Sequence, residues 1–202
     1  MKEKKVIKSE FSKKHFIFNK KSEKLLSLYH RVLSRYYLKT VSYEEINELV
    51  LKGYSLVGQN HVSAGVLKRR YSINPEIITG LYDIKTKELL GYFILYPLNE
   101  KAHQEIISLD IINGKGIEDH HIVDNFDKAS CIYIGMVGAL NKRVNSGVII
   151  EFTRKIENIA QLGNLESVFT RGATPSGVRM IENLGFQRLT EPSEISYIKK
   201  NN

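Results

Sequence analysis

Apolar residues along this chain change their period several times, and each change marks an element. "HFIFN" (15–19) is a short β-favouring run. From Ser22 the spacing turns helical: Leu25, Leu28, Tyr29, Val32, Leu33 and Tyr36 recur on one face, with Ser22 as the N-cap. Ser42 and Glu45 stand in the Ser-x-x-Glu spacing of a capping box ahead of Ile46, Leu49 and Val50, and Gly53 supplies a left-handed stop. Residues 54–76 then keep no clean period, and Asn74-Pro75 marks a turn.

"IITGLYDIKTKELLGYFILYPL" (77–98) reads as two strands joined by a polar turn at Asp83 to Lys87. Residues 99–128 are polar and aperiodic, which predicts a long functional loop. "ASCIYIGMVGA" (129–139) is a strand by its β-branched and aromatic content. Val148, Ile149, Phe152, Ile156, Ile159 and Ala160 mark one face of a helix that ends before Gly163-Asn164. "LESVFT" (165–170) suits another strand. Thr174-Pro175 pairs an N-cap with proline at the first helical position; Val178, Ile181 and Leu184 form the stripe, and Gly185-Phe186 the ending. A last strand falls in "EISYIKK". The order β-α-α-β-β-β-α-β-α-β predicts an α/β chain of α+β type with a mixed sheet.

Composition narrows the class. A chain of 202 residues suits one core, so residues 15–202 are expected to form a single domain behind a basic arm, residues 1–14. Residues 1–24 hold nine lysines against three glutamates, so +6 of the net charge of +8 sits there. That is a basic arm rather than a basic domain; nucleic acid is an expected partner only through the arm. No apolar stretch reaches the ~20 residues of a membrane span, and the lysine-rich start lacks a signal peptide's apolar region, so a cytoplasmic protein with no membrane partner is expected. The lone Cys131 excludes an internal disulfide and reads as a buried, inert thiol.

The candidate chemistry centres on "ALNKRVNSGVII" (139–150), between a strand and a helix. A helix N-terminus offers unpaired N–H groups and about half a positive charge, which attract phosphate. Asn145, Ser146 and Gly147 let backbone approach an anion, and Lys142 and Arg143 add charge. The same residues also read as an ordinary helix cap.

With "LLGYFILYPL", this loop and its helix at 142–163, and "TPSGVRMIENLGF", the order of elements resembles the GCN5-related N-acetyltransferase (GNAT) superfamily over most of residues 15–198. The resemblance implies a mixed, mostly antiparallel central sheet with helices on both faces. It also implies acetyl-coenzyme A as cosubstrate, its pyrophosphate held by backbone amides of a Gln/Arg-x-x-Gly-x-Gly/Ala loop. Two registers fit: Arg143-x-x-Ser146-x-Val148, with Val144 between, or Lys142-x-x-Asn145-x-Gly147, which is preferred because asparagine tolerates positive φ. Backbone at Val137, Gly138 and Ala139 is implied to pair with the pantetheine arm, and Thr174 matches a further motif position. The implied reaction is direct attack of a primary amine on the acetyl carbonyl. A coenzyme-binding domain without catalysis is the alternative, because Ile181 occupies the position of the family's proton-donating tyrosine.

Tyr133, on the strand leading to the loop, is the expected substitute acid, with a core tyrosine as the other reading. His120, His121 and Glu105 are the candidate bases, because a loop over 99–128 can fold across the cleft. "EDHH" (118–121) is expected to hold no metal, since adjacent residues diverge in regular structure.

Overall fold

Alternation of large apolar residues builds the sheet, broken once at Leu90, where the register between two neighbouring strands shifts. In β3 (Leu89–Leu98), Tyr92, Ile94, Tyr96 and Leu98 belong to one buried cluster, while Leu90, Phe93 and Leu95 belong to another. A strand buried on both sides must lie inside a sheet covered twice. A computed structural model describes residues 35–58, 62–140, 144–162 and 164–199. The expected strand at 15–19, the body of the helix from Ser22 and the basic arm lie outside them.

The remaining strands are β1 (Tyr36–Thr40), β2 (Ile78–Asp83), β4 (Cys131–Ala139), β5 (Ser167–Thr170), β6 (Gln187–Arg188) and β7 (Ser196–Lys199). They run in the order β1-β2-β3-β4-β5-β7-β6, a seven-stranded sheet. Every neighbouring pair is antiparallel except β4 with β5. The expected hairpin turns on Asp83, whose carboxylate accepts the N–H groups of Lys85 at 2.7 Å and Thr86 at 3.0 Å.

One face is covered by α1 (Ile46–Val57), α2 (Ala64–Ile73) and α3 (Glu100–Ile107), where Ile46, Leu49, Leu67, Ala102 and Ile106 pack with Tyr92, Tyr96 and Tyr133. The other is covered by α4 (Asn145–Leu162) and α5 (Pro175–Asn183), where Val148, Phe152, Ile156 and Ile181 pack with Phe93, Leu95, Ile132 and Val168. This is the expected mixed, mostly antiparallel sheet with helices on both faces.

Several elements differ from expectation. Tyr36 opens β1 instead of closing a helix. Ser42 N donates to Glu45 Oε2 at 2.8 Å, half of the capping box, but Gly53 is a buried residue inside α1. The helix runs on to Val57 because Leu56 and Val57 still pack on the core, and Gly58, with φ of 58°, ends it. Residues 54–76 hide α2, capped by Ser63, because only Leu67 and Arg70 of that helix are buried and the apolar stripe is faint. The stretch 99–128 is not a loop. Asn99 caps α3 by accepting from Ala102 N at 3.0 Å, and single 3-10 turns follow at Gly114–Gly116, Asp119–His121 and Phe126–Lys128. β6, two residues long, escaped the pattern.

Candidate active site

β4 outruns its parallel neighbour. Pairing with β5 covers Cys131 to Ile134, opposite Ser167 to Thr170, whereas pairing with β3 continues to Ala139 opposite Gly91. Met136 to Ala139 are therefore bonded along one edge and open along the other, among the described residues. The parting is built into the backbone. Ile94 faces Met136 and Leu95 faces Ile134, so Gly135 is an extra, bulged residue, exposed between buried neighbours. Thr170 Oγ1 donates to Ile134 O at 3.4 Å where the strands separate.

Two elements flank the open edge. On one face Gly91 lets α4 close down on the strands: a Cβ there would sit 2.5 Å from Val148 Cγ2 and 2.9 Å from Gly138 O. On the other, a Cβ at Gly138 would sit 2.7 Å from Leu56 Cδ1, at the end of α1. Val137 and Ala139 are half-buried on this edge. Within the first turns of α4, Val144 and Val148 are buried against the sheet while Asn145 and Ser146 are exposed. No acidic residue stands in that first turn, and eighteen residues of helix lie behind it. Beyond the open strand the chain thus enters a helix whose first residues, Asn145 and Ser146, are exposed, and a helix N-terminus attracts anions.

The reason for preferring the Lys142-x-x-Asn145-x-Gly147 register does not hold. Asn145 and Gly147 are helical; positive φ among the described residues belongs to Lys87, Leu109, Gly58 and Gly185. The helix starts early enough to present amides without a left-handed residue. Lys142 and Arg143 lie outside the described residues. Thr174 caps α5 by accepting from Gly177 N at 3.1 Å, and its oxygen lies 3.1 Å from Ser176 Oγ. Ile181 is buried in the α4–α5 layer.

The four proton-handling candidates separate into two places. Tyr133 is paired with Phe169, one residue before the parting, and is buried. A Cβ at Gly114 would collide with its hydroxyl, so that turn covers the phenol. Burial pushes its pKa up to about 12, with the nearby Arg171 guanidinium pulling the other way and Tyr96 and Glu194 adding to the rise. It is a protonated phenol at neutral pH.

His120, His121 and Glu105 sit at the opposite end of β4. Asn99 N donates to His121 O at 2.9 Å, Ile122 bridges Leu98, and Leu98 pairs with Cys131 at the start of β4. Four residues of strand, about 13 Å, separate Cys131 from the bulge. The sequence placed these groups on a long loop able to fold across the cleft; the bridge to β3 holds them at the start of β4. His121 is buried, its Nδ1 accepts from Glu118 N at 3.0 Å, and its Nε2 lies 3.0 Å from Glu105 Oε2. Desolvation lowers its pKa, with His120 next in size, while Glu105 opposes. His120 is half-exposed and lies 3.2 Å from Glu118 through Nδ1. His121 is therefore a neutral ring that secures a turn. Burial likewise raises the pKa of Cys131, the inert thiol expected.

The chain matches no family model and no curated protein. Solved structures do resemble it. The C-terminal condensation domain of Ebony, in complex with beta-alanyl-dopamine, is 12% identical, with 83% of this chain and 99% of that one covered and a TM-score of 0.55. A GNAT-family acetyltransferase from Staphylococcus aureus Mu50 is 10% identical, with 82% and 98% covered and a TM-score of 0.51. N-acetylglutamate synthase from Neisseria gonorrhoeae, complexed with coenzyme A and L-arginine, is 13% identical, with 83% of this chain but only 34% of that longer one covered, at a TM-score of 0.51. Identities this low speak for architecture alone. Taken with the parted parallel strands and the helix that follows them, they show that the chain has the fold of the GNAT acetyltransferases.

Proposed function

We propose that this chain is an acetyl-coenzyme A-dependent N-acetyltransferase acting on a primary amine. The observation that carries the reading is the open edge at Met136 to Ala139, followed along the chain by α4, whose first residues Asn145 and Ser146 are exposed. The N–H groups around Asn145, Ser146 and Gly147 would hold the pyrophosphate, and Val137 to Ala139 would pair with the pantetheine amides. The coenzyme A complex of the N-acetylglutamate synthase neighbour supports the choice of ligand. We take residues 15–202 as the catalytic domain, with residues 1–14 as an arm and a cytoplasmic setting.

In the reaction proposed, the neutral amine nitrogen attacks the thioester carbonyl, the C–N bond forms, and the C–S bond breaks. The ammonium proton passes to solvent before attack; after attack the nitrogen, now positively charged, releases a second proton to solvent, and the departing thiolate takes one from a donor that solvent then reprotonates. Tyr133 is the candidate donor, because of the four sequence candidates it alone lies at the parting of β4 and β5. Positioning along the open strand supplies the remaining advantage. Replacing Tyr133 with Phe is expected to lower kcat by about 100-fold with KM little changed.

A second reading, a coenzyme-binding domain without catalysis, is favoured by Ile181 being buried at the usual acid position. Release of free coenzyme A across a panel of amines, peptides and proteins distinguishes the two. Amine-dependent release supports the transferase; tight binding with no release from any acceptor class supports the second reading.

A further inference from the structure

We infer that Glu100, His103 and Glu166 form a divalent transition-metal site at the end of the sheet remote from the parted strands. His103 lies on the buried side of α3, 7% exposed, and its Nε2 is 2.8 Å from Ser167 Oγ at the start of β5. The other ring nitrogen, Nδ1, is buried with no hydrogen-bond partner. It points at two carboxylates: Glu166 Oε2 at 3.7 Å and Glu100 Oε2 at 3.9 Å. One ligand atom from each of the three residues lies within 4.8 Å of the others.

Neither a neutral ring nor a protonated one completes this arrangement. With Nε2–H donating to Ser167 Oγ, Nδ1 directs a buried lone pair at two anions, which costs free energy unless a cation stands between them. A proton on Nδ1 would still be too far from either oxygen for a hydrogen bond. Ligands at about 2.1 Å in a tetrahedral shell stand about 3.4 Å apart, so a cation closes the two gaps from Nδ1 by about half an ångström or less and the gap between the carboxylates, which lie within 4.8 Å of each other, by up to about 1.4 Å.

The surroundings have the features of a metal site. Ser167 holds the ligating ring from behind, accepting from Nε2–H in the tautomer that leaves Nδ1 as the ligand, as outer-shell partners do. Glu100 and His103 are three apart on one helix and so share a face. Both carboxylates are more than half exposed, which leaves an entry path and room for a water as fourth ligand. One imidazole with two carboxylates suits zinc or its neighbours over calcium or magnesium. The ion would tie the first turn of α3 to the start of β5, two elements already joined by the His103–Ser167 hydrogen bond and the His103–Phe169 ring contact at 5.7 Å.

The test is a zinc titration of the full chain after chelation and dialysis, read by calorimetry and by the melting temperature. One equivalent of zinc is expected to bind and to raise the melting temperature. Glu100→Gln with Glu166→Gln, both at exposed positions, is expected to lower the metal-free melting temperature only slightly, through the Glu100 hydrogen bond with Gln104 and its place in the first turn of α3, and to abolish that binding. Ser167→Ala is expected to weaken it by roughly 10- to 100-fold. Absence of stoichiometric binding at millimolar zinc would overturn the inference, and so would binding undiminished in the double variant. Neither result bears on acetyl transfer.

Discussion

Ser146 stands at the point where stability and binding make opposite demands. It is exposed in the first turn of α4, which has no acidic residue. An aspartate there should favour the helix by about 0.3–1 kcal/mol through the dipole. It should also repel a bound pyrophosphate. Ser146→Asp is therefore expected to melt at the same or a higher temperature while binding coenzyme A roughly tenfold more weakly, with binding of a pantetheine thioester that has no phosphates unchanged. Equal loss for both ligands would place the phosphates elsewhere. Lys155 offers an independent test at the same scale. Its ammonium donates to Glu76 O at 2.8 Å and Thr79 Oγ1 at 3.0 Å, beside the Phe126 ring. Burial lowers its pKa to about 8, with Glu76 opposing. The unfolded chain then holds more protons at this lysine, so stability should rise with pH from about 8, by at most about 1.4 kcal/mol per pH unit. From about pH 9 upward Cys131 and then the buried tyrosines, whose pKa values are raised in the fold, work in the other direction. The difference between wild type and Lys155→Met in urea denaturation isolates the effect. Parallel pH profiles for the two would contradict it.

At the scale of elements, what the sequence revealed depended on how much apolar surface each element buries. The β2–β3 hairpin, β4 and α4 each bury a continuous stripe or run, and their periods are legible; α5 buries only Ile181, with Val178 of its expected stripe exposed, and was legible from its Thr174-Pro175 start and Gly185 ending. α2 buries Leu67 and Arg70 alone, and α3 is eight residues long with a histidine on its inner face, so both were hidden in polar text. The candidate site divides in the same way. The strand-to-helix junction was legible because small and basic residues interrupt two strong patterns. The parting of β4 from β5 was not, since it depends on a bulge at Gly135 and on where β5 stops, both set by strand partners. The distance of His121 from the parting was equally hidden, because it follows from a bridge between Ile122 and Leu98. Gly91 tests how firmly α4 is seated. A Cβ at that position would meet Val148 Cγ2 at 2.5 Å and backbone Gly138 O at 2.9 Å, and the backbone has little freedom to yield. Gly91→Ala is expected to cost about 1–3 kcal/mol in urea denaturation and to weaken coenzyme A binding by lifting α4 from the strand. An unchanged affinity would mean that the helix N-terminus does not hold the coenzyme.

Across the whole molecule, the two ends of the parallel pair serve different purposes. At the end where β4 and β5 start, Glu100, His103, Glu166 and Ser167 join α3 to β5. At the other end the strands separate and α4 begins. Among the described residues no helix is long and apolar enough to cross a membrane. The basic start of the chain adds a separate proposal: if residues 1–21 contact nucleic acid, binding falls steeply with salt and is lost when they are removed. Salt-insensitive binding, or none, would end that proposal. The central claim is that the open strand and the N-terminus of α4 hold an acyl-coenzyme A. Thermal unfolding of the full chain with acetyl-coenzyme A tests it most directly. At 100 times the dissociation constant the ligand should add about 2.7 kcal/mol of stability, and most of that gain should disappear in Ser146→Asp at the same concentration. No stabilisation of the wild-type chain at saturating acetyl-coenzyme A would contradict the claim.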